Sequence, residues 1–558
     1  MTFIPNRPEL LGRCQCPKAW TMPLLRFTKS VITTSRQPNL VRGFAMRHRA
    51  SPFTPPFDPY SYSRGRWLDR NEQRQKARRL DFNFEALLDV AVKCSDGARE
   101  VVACEKREGG FNRVFIIELN NGAKVVAKVP MQFAGPTALM TMSEVATLRY
   151  VKDKTHVPVP RVLAWSSEPG IGSVGVEYIV MEHVSGVALK DIWGGMTELQ
   201  HIELIESVAG LVKELCAHDF GAFGSLYLNT AGKPTGTLSI DEEYCIGPHC
   251  GRQFWGQNSD QIIQDTIPLC SQGPWQSLSA SFAALSRISK VTIDKRGSPG
   301  SIVENHMRLL ESSRKILEVV GDSAALREYC SPLLLHPDLH ARNIFVDPNN
   351  PTKILGVIDW QSAAIEPAFV HAAETPDFAE EPLLDRTLDA DVLHGSHELQ
   401  EHARRCKKTW TIMISLCPKL GKATTLNTTL CRYLANISLG CSNEPILLRS
   451  LLTDVSNEWS DLELPGTCAY QPSQEEVKLL SVELDHSEST QRLQAFLSRL
   501  LGCETDGWVE EGRWDDVFPI YREQYAEFVN ACIESREQDE TVQDAEEKAN
   551  KLWPFDLR

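Results

Sequence analysis

Within LLLHPDLHARNIFVDPNNPTKILGVIDWQ, residues 333–361, four polar side chains interrupt runs that otherwise read as buried strands: His336, Asp338, Asn343 and Asp359. Asp338 and Asn343 are five positions apart between apolar LLL and IFV, and Asp359 follows a second β-rich run, KILGVI. That spacing predicts a hairpin whose loop presents Asp338 and Asn343 and whose returning strand delivers Asp359 beside them. Two carboxylates brought together without a cation repel, whereas a carboxylate and an amide oxygen can share a hard ion such as Mg²⁺. Asn343 and Asp359 are therefore candidate metal ligands, and Asp338 is left near an acceptor hydroxyl. Phosphoryl transfer from ATP asks for this division of labour. The structural alternative is that these residues only cap turns.

Upstream elements would position a triphosphate against that constellation. EGGFNRVFIIELNNGAKVVAKVP reads as two β-rich runs joined by an Asn121-Gly122 turn. Gly109 and Gly110 fall at the turn between two strands, where lack of a Cβ lets backbone amides approach phosphate, although two glycines at a turn often mean only a turn. Lys128 ends the second run. Glu144 follows sixteen residues later in ALMTMSEVATLRYVKDK, a predicted helix with Leu139, Met142, Val145 and Leu148 on one face. A Lys128–Glu144 pair would hold the ammonium against the α- and β-phosphates; taken singly, each is an ordinary surface residue. NFEALLDVAVKC reads as a short amphipathic helix with Phe84, Leu87, Leu88 and Ala91 at helical spacing, and VPVPRVLAWS and GVEYIVMEHVSG as further strands.

HPDLHARNIFV followed by VIDWQ resembles the aminoglycoside phosphotransferase (choline-kinase-like) family of the protein-kinase-like fold, and EGGFNRVF, VVAKVP and Glu144 are similar to its nucleotide lobe. YIVMEHVSG is similar to its inter-lobe hinge. The likeness covers residues 80–370 and extends more loosely to about 530; SRGRWL, the basic leader and the long helical C-terminal part point to a fungal mitochondrial subgroup. The resemblance implies a bilobal α+β fold, with a small antiparallel N-lobe sheet carrying one helix and a larger, mainly helical C-lobe. It implies ATP and Mg²⁺ as cofactors. Lys128 would bind the α/β-phosphates, Glu144 would orient Lys128, and Gly109, Gly110 and Asn112 would form the phosphate loop. The backbone from Met181 to His183 would meet adenine, Asp338 would be catalytic base or hydroxyl orienter, and Asn343 and Asp359 would hold the metal. His336 would support the loop through hydrogen bonds. Pro337 and Arg342 stand where glycine is frequent, and Trp360-Gln361 replace the Phe-Gly of protein kinases, which disfavours a protein substrate.

The remainder of the chain sets bounds. Its 558 residues, 42% hydrophobic and 24% charged, fit an ordinary folded protein, and no run of eighteen apolar residues suggests a membrane span. A net charge of −14 conceals an asymmetry: residues 1–80 hold 16 Lys+Arg and 4 Asp+Glu, the rest 43 and 69. Residues 1–50, basic and rich in Ser and Thr, have a transit-peptide profile directing the chain to mitochondria, with a disordered basic arm as the alternative. Residues 51–80 read as a basic linker, 81–185 as the nucleotide-binding lobe, 186–530 as the helical lobe, and 531–558 as a charged helix or tail. The sixteen cysteines lack a disulfide framework, and Cys245, His249 and Cys250 lack zinc spacing. Trp255 and Trp275, in a stretch of unassigned role over 222–300, could line an acceptor site or pack the lobe.

These features favour an ATP-dependent phosphotransferase acting on a small-molecule hydroxyl or amine, the acceptor unspecified. A pseudokinase or nucleotide-sensing scaffold working through protein partners is the competing expectation, because a complete motif shows capability and not turnover. Nucleic acid is disfavoured as a partner by the acidic body.

Overall fold

A computed structural model describes residues 53–168, 170, 172–255, 269–294, 300–321, 323, 326–372, 374–381, 390–536 and 540–555. The proposed leader, 1–50, lies outside them. The chain divides into two compact units, one formed by 53–61 and 77–486, the other containing 62–76 and 487–558.

The larger unit begins with an antiparallel sheet of five strands. They are β1 (Val101–Glu108), β2 (Asn112–Leu119), β3 (Lys124–Pro130), β4 (Val162–Ser166) and β5 (Tyr178–Glu182), in the order β1-β2-β3-β5-β4. The Asn121-Gly122 turn joins β2 to β3: Gly122 adopts φ +82°, and its amide donates to Leu119 O at 2.9 Å. Positive φ suits glycine at such a turn. Strand β1 goes unread in the sequence because its pattern is inverted. Val102 is exposed, while Lys106 and Glu108 are covered and pair at 3.2 Å. Fully buried Arg113 joins them, its Nε 3.2 Å from Glu108, and its guanidinium donates to the carbonyls of Pro59, Tyr60 and Arg78. Residues 53–61 and 77–80 are thereby fastened to the sheet, and Phe57 stacks on Phe115.

Helix α1 (Phe84–Lys93) is capped by Asn83, which accepts from the Ala86 amide, and it buries Phe84, Leu87, Leu88 and Ala91 as its period predicts. Helix α2 (Leu139–Lys154) is covered over more of its circumference than one apolar stripe explains, with Thr141, Ser143, Glu144 and Thr147 all buried. Its first residue is preceded by Ala138, which has no capping side chain. Glu177 supplies the cap from elsewhere, accepting from the Ala138 amide at 3.0 Å and the Thr141 hydroxyl at 2.7 Å.

The rest of this unit is mainly helical, as expected for the bilobal α+β class. Glu198–Cys216 opens with a Thr197/Gln200 capping box. Helices Leu278–Asp294, Gly300–Gly321, Ala390–Ser415, Thr428–Ser438 and Pro445–Asn457 follow. Trp255 and Trp275 are buried with Phe254, Leu278 and Phe282 in one of its cores, which is the lobe-packing role. Among the described residues, no helix is long and apolar enough to cross a membrane.

In the smaller unit, strand Gly65–Trp67 pairs antiparallel with Trp508–Glu510. Leu68, Leu497, Leu501, Val509, Val517 and Tyr521 form its core. Read from charge alone the chain end is a solvated helix or tail. It forms helix Val542–Leu552, after which Trp553 and Phe555 are buried in this core; its polar face carries the charge. Residues 62–76, expected as part of a linker, are likewise fixed here by the strand pair and by Arg74, which meets Asp69 at 2.9 Å and Asp506 at 3.2 Å.

Candidate active site

Strand Ile344–Asp347 pairs antiparallel with Asn350–Val357, so the residues before the first strand and after the second meet at the open end of this hairpin. Asp338 and Asn343 lie there together with Asp359. The expected placement of Asp338 and Asn343 in the hairpin's own loop is corrected: the turn between the strands, 347–350, is at the far end. Antiparallel pairing achieves the same juxtaposition from the other side.

Lys128 occupies a central strand, opposite Val114 on β2 and Ile179 on β5. Its Nζ donates to Glu144 Oε1 at 2.6 Å and to Asp359 Oδ1 at 2.7 Å. Lys128 and Glu144 are buried, whereas the Asp359 side chain keeps 41% of its exposure. Burial alone would depress the Lys128 ammonium, but Asp359 and Glu144 overcome it and hold its pKa above the ordinary lysine value. Burial raises Glu144, only partly offset by Lys128. For Asp359 burial acts upward, and the Lys128 charge and hydrogen bond prevail, keeping the carboxyl below its ordinary value. Asp359 adopts φ +66°, a region that Asp tolerates better than most residues.

Around Asp338 the loop is fixed by side chains. The Asn343 amide nitrogen donates to Asp338 O at 2.8 Å and Oδ2 at 3.0 Å. Arg342 Nη2 contacts both Asp338 oxygens, at 2.7 and 2.6 Å. Buried His336 donates from Nε2 to Ile358 O at 2.9 Å and accepts the Asp338 amide at Nδ1, 3.1 Å. A carbonyl can only accept, which fixes that tautomer; burial lowers its pKa and keeps the ring neutral. Trp360 closes the motif, its Nε1 donating to Val357 O at 3.1 Å and its ring edge-on to His336.

Other predicted positions are placed less directly. Gly109 and Gly110 form the β1–β2 turn, where the Gly109 amide donates to Asn112 O; a Cβ would meet Asn112 O at 3.7 Å from Gly109 and nothing within 4 Å from Gly110. The protein itself therefore does not require glycine at 110. Asn112 is buried and turned to Gln361, donating to its Oε1 at 2.5 Å. Met181 pairs with Val126 across β3 and β5, and His183 follows β5, its pKa lowered by burial. The sequence reading missed the Asn112–Gln361 link and the Glu177 cap; no local pattern marks a contact across 249 residues. It also missed Asp377, which accepts the Ala341 amide at 2.9 Å.

The donor set suits Mg²⁺. Asp359 offers a partly exposed carboxylate, and Asn343, with its nitrogen turned to Asp338, offers an amide oxygen; both are hard ligands of the kind Mg²⁺ combines with water and phosphate.

Residues 303–403 match the phosphotransferase enzyme family. A subtelomeric hrmA-associated cluster protein of Aspergillus fumigatus is 31% identical over 298 residues, covering 48% of this chain and 58% of that protein. The altered inheritance of mitochondria protein 9, mitochondrial, of Candida albicans is 25% identical over 376 residues, covering 55% and 59%. The chain thus spans about three fifths of the length of these curated relatives. Among solved structures, the streptomycin–ATP–APH(2″)-IIa ternary complex aligns with 66% of this chain and 97% of its own at 15% identity and a TM-score of 0.36. The chain has a sheet lobe and a mainly helical lobe and is related, at low to moderate identity, to the fungal altered inheritance of mitochondria proteins 9.

Proposed function

We propose that the protein is an ATP-dependent phosphotransferase that moves the γ-phosphoryl group to a hydroxyl or amine of a small molecule. The observation that carries this reading is the Lys128 ammonium held between Glu144 and Asp359, which joins the sheet lobe to the motif of the helical lobe. In this role Lys128 faces the α- and β-phosphates, and Glu144 keeps it aimed. Asn343 and Asp359 hold Mg²⁺, which when bound neutralises phosphate charge. The open space at Gly110 supports close approach of a phosphate. Asp338 orients the acceptor hydroxyl and takes its proton at a carboxylate oxygen, while His336 holds the loop backbone. Backbone groups from Met181 to His183 meet the adenine ring.

The family match over 303–403 supports the reaction class, and the basic leader together with the relatives named mitochondrial supports action in the mitochondrial matrix. A fluorescent fusion of residues 1–50 tests the location: import is expected, and a diffuse cytosolic signal contradicts it. For the activity, ATP consumption should rise with an added acceptor drawn from an amine and alcohol panel, and Asp338→Asn should abolish that rise.

One observation favours the scaffold reading instead. Arg342 covers both oxygens of Asp338, and a nucleotide sensor working through protein partners would have no need to release them. Turnover by the wild type decides, because the half-exposed Arg342 must then leave Asp338 accessible.

A further inference from the structure

A second cluster of Lewis bases lies outside the phosphotransfer motif. It is built between helix Glu198–Cys216, which carries His201, and helix Ala390–Ser415, which carries His402 and Cys406. His402 and Cys406 are four residues apart, hence on one helix face. His201 Nδ1 and His402 Nε2 are 2.6 Å apart, and Cys406 Sγ is 3.5 Å from the same His402 nitrogen. All three atoms fall within 4.8 Å of one another. His201 and Cys406 are buried, and the His402 side chain is 15% exposed.

The outer contacts determine what these atoms can do. His201 Nε2 lies 2.9 Å from Trp193 O, an acceptor only, so that nitrogen carries the hydrogen and Nδ1 presents a bare lone pair. The Trp193 ring stacks on the imidazole at 3.8 Å and fixes its plane. His402 Nδ1 is buried without a hydrogen bond, with a Glu198 carboxylate oxygen 3.8 Å away. A backbone carbonyl behind one imidazole and a carboxylate near the other is the outer arrangement that orients metal-binding histidines. Only a proton on His402 Nε2 satisfies the inner pair otherwise.

We propose that His201, His402 and Cys406 bind one borderline-soft divalent cation of the Zn²⁺ class, tying these two helices together. Two imidazoles and a thiolate select such an ion over Mg²⁺ or Ca²⁺. Tetrahedral Zn²⁺ with its usual bond lengths sets N and S ligands ~3.6 Å apart and two N ligands ~3.4 Å apart. The Cys406–His402 spacing already fits; the two imidazole nitrogens separate by a fraction of an ångström, and His201 Nδ1 and the Cys406 sulfur, within 4.8 Å of one another, close to the tetrahedral spacing as the ion replaces the shared proton. On binding, His402 moves its proton to Nδ1, facing Glu198, and the Cys406 thiol releases its proton to solvent. Three protein ligands leave one position for water.

The test is a Co²⁺ titration of the full chain after chelation, followed by absorption. One equivalent should produce tetrahedral d–d bands and a thiolate-to-Co²⁺ charge-transfer band. Cys406→Ser should remove the latter, and His402→Gln should weaken binding at least tenfold. Asp359→Asn should leave both bands intact, which separates this site from the oxygen-ligand site and makes the result independent of phosphotransfer. No thiolate band in the folded wild type, or a band that survives Cys406→Ser, overturns the proposal. Should Cys406→Ser fail to fold by circular dichroism, an unchanged affinity in folded His402→Gln overturns it equally.

Discussion

Lys128→Met removes the only cation bonded to Glu144 among the described residues, a carboxylate whose side chain is 3% exposed. Breaking a buried ion pair by deleting one partner costs about 3–5 kcal/mol. Here the cost has a ceiling, because Glu144 can take up a proton instead. Protonating a carboxyl of ordinary pKa ~4.3 at pH 7, at ~1.36 kcal/mol per pH unit, costs ~3.7 kcal/mol, and at pH 5 only ~1 kcal/mol. In the folded variant Glu144 keeps its proton, whereas in the unfolded chain the carboxyl loses it above pH ~4.3. The unfolded state then binds fewer protons, so the variant loses stability as pH rises from 5 to 7. Lys128 itself titrates above this window. Urea unfolding followed by near-ultraviolet circular dichroism should therefore show a deficit relative to wild type that grows between pH 5 and pH 7 by at most ~2–3 kcal/mol, because burial already raises Glu144 in the wild type, which shares part of the slope. Adding Glu144→Gln removes the titrating group and should flatten the profile. Parallel profiles for Lys128→Met and the double variant would refute the claim that Glu144 is the stranded charge.

Asp338→Asn should leave Mg²⁺-dependent nucleotide affinity unchanged in calorimetry and lower turnover about 10²–10⁴-fold, the range for a lost proton acceptor. Arg342→Ala should change stability by less than about 1 kcal/mol, since the pair it breaks is half-exposed; a larger loss in denaturant titration would make Arg342 a structural element of the loop. His336→Phe keeps a ring beside Trp360 but strands the Ile358 carbonyl and Asp338 amide, an expected cost of about 1–3 kcal/mol read by urea unfolding. Gly65→Ala would drive a Cβ to 2.3 Å from Val509 O and 2.6 Å from the Trp508 ring. Overpacking of that kind costs about 1–3 kcal/mol, and faster proteolysis within residues 487–558 should report it.

The sheet and its site are legible where local chemistry and periodicity agree. Asn121-Gly122 fixes the β2–β3 turn, Lys128 follows from strand alternation, and Asp338, Asn343 and Asp359 stand out as polar residues in apolar frames. Strand β1 is illegible because Lys106, Glu108 and Arg113 bury charge against backbone carbonyls rather than alternate apolar and polar residues. The pairing of Gly65–Trp67 with Trp508–Glu510 escapes any local window, since its partners are more than 400 residues apart. Asn112 shows the same limit: its side chain is bonded to Gln361, a partner no motif around Asn112 predicts.

The central claim is that Lys128, Asn343 and Asp359 make a nucleotide–metal site, and its most direct test is calorimetric titration of residues 51–558 with ATP, with and without Mg²⁺, beside Asp359→Asn. The account predicts metal-dependent binding that Asp359→Asn weakens at least tenfold, ~1.4 kcal/mol. Absence of binding by folded wild type, or binding indifferent to Mg²⁺ and to Asp359→Asn, would contradict it.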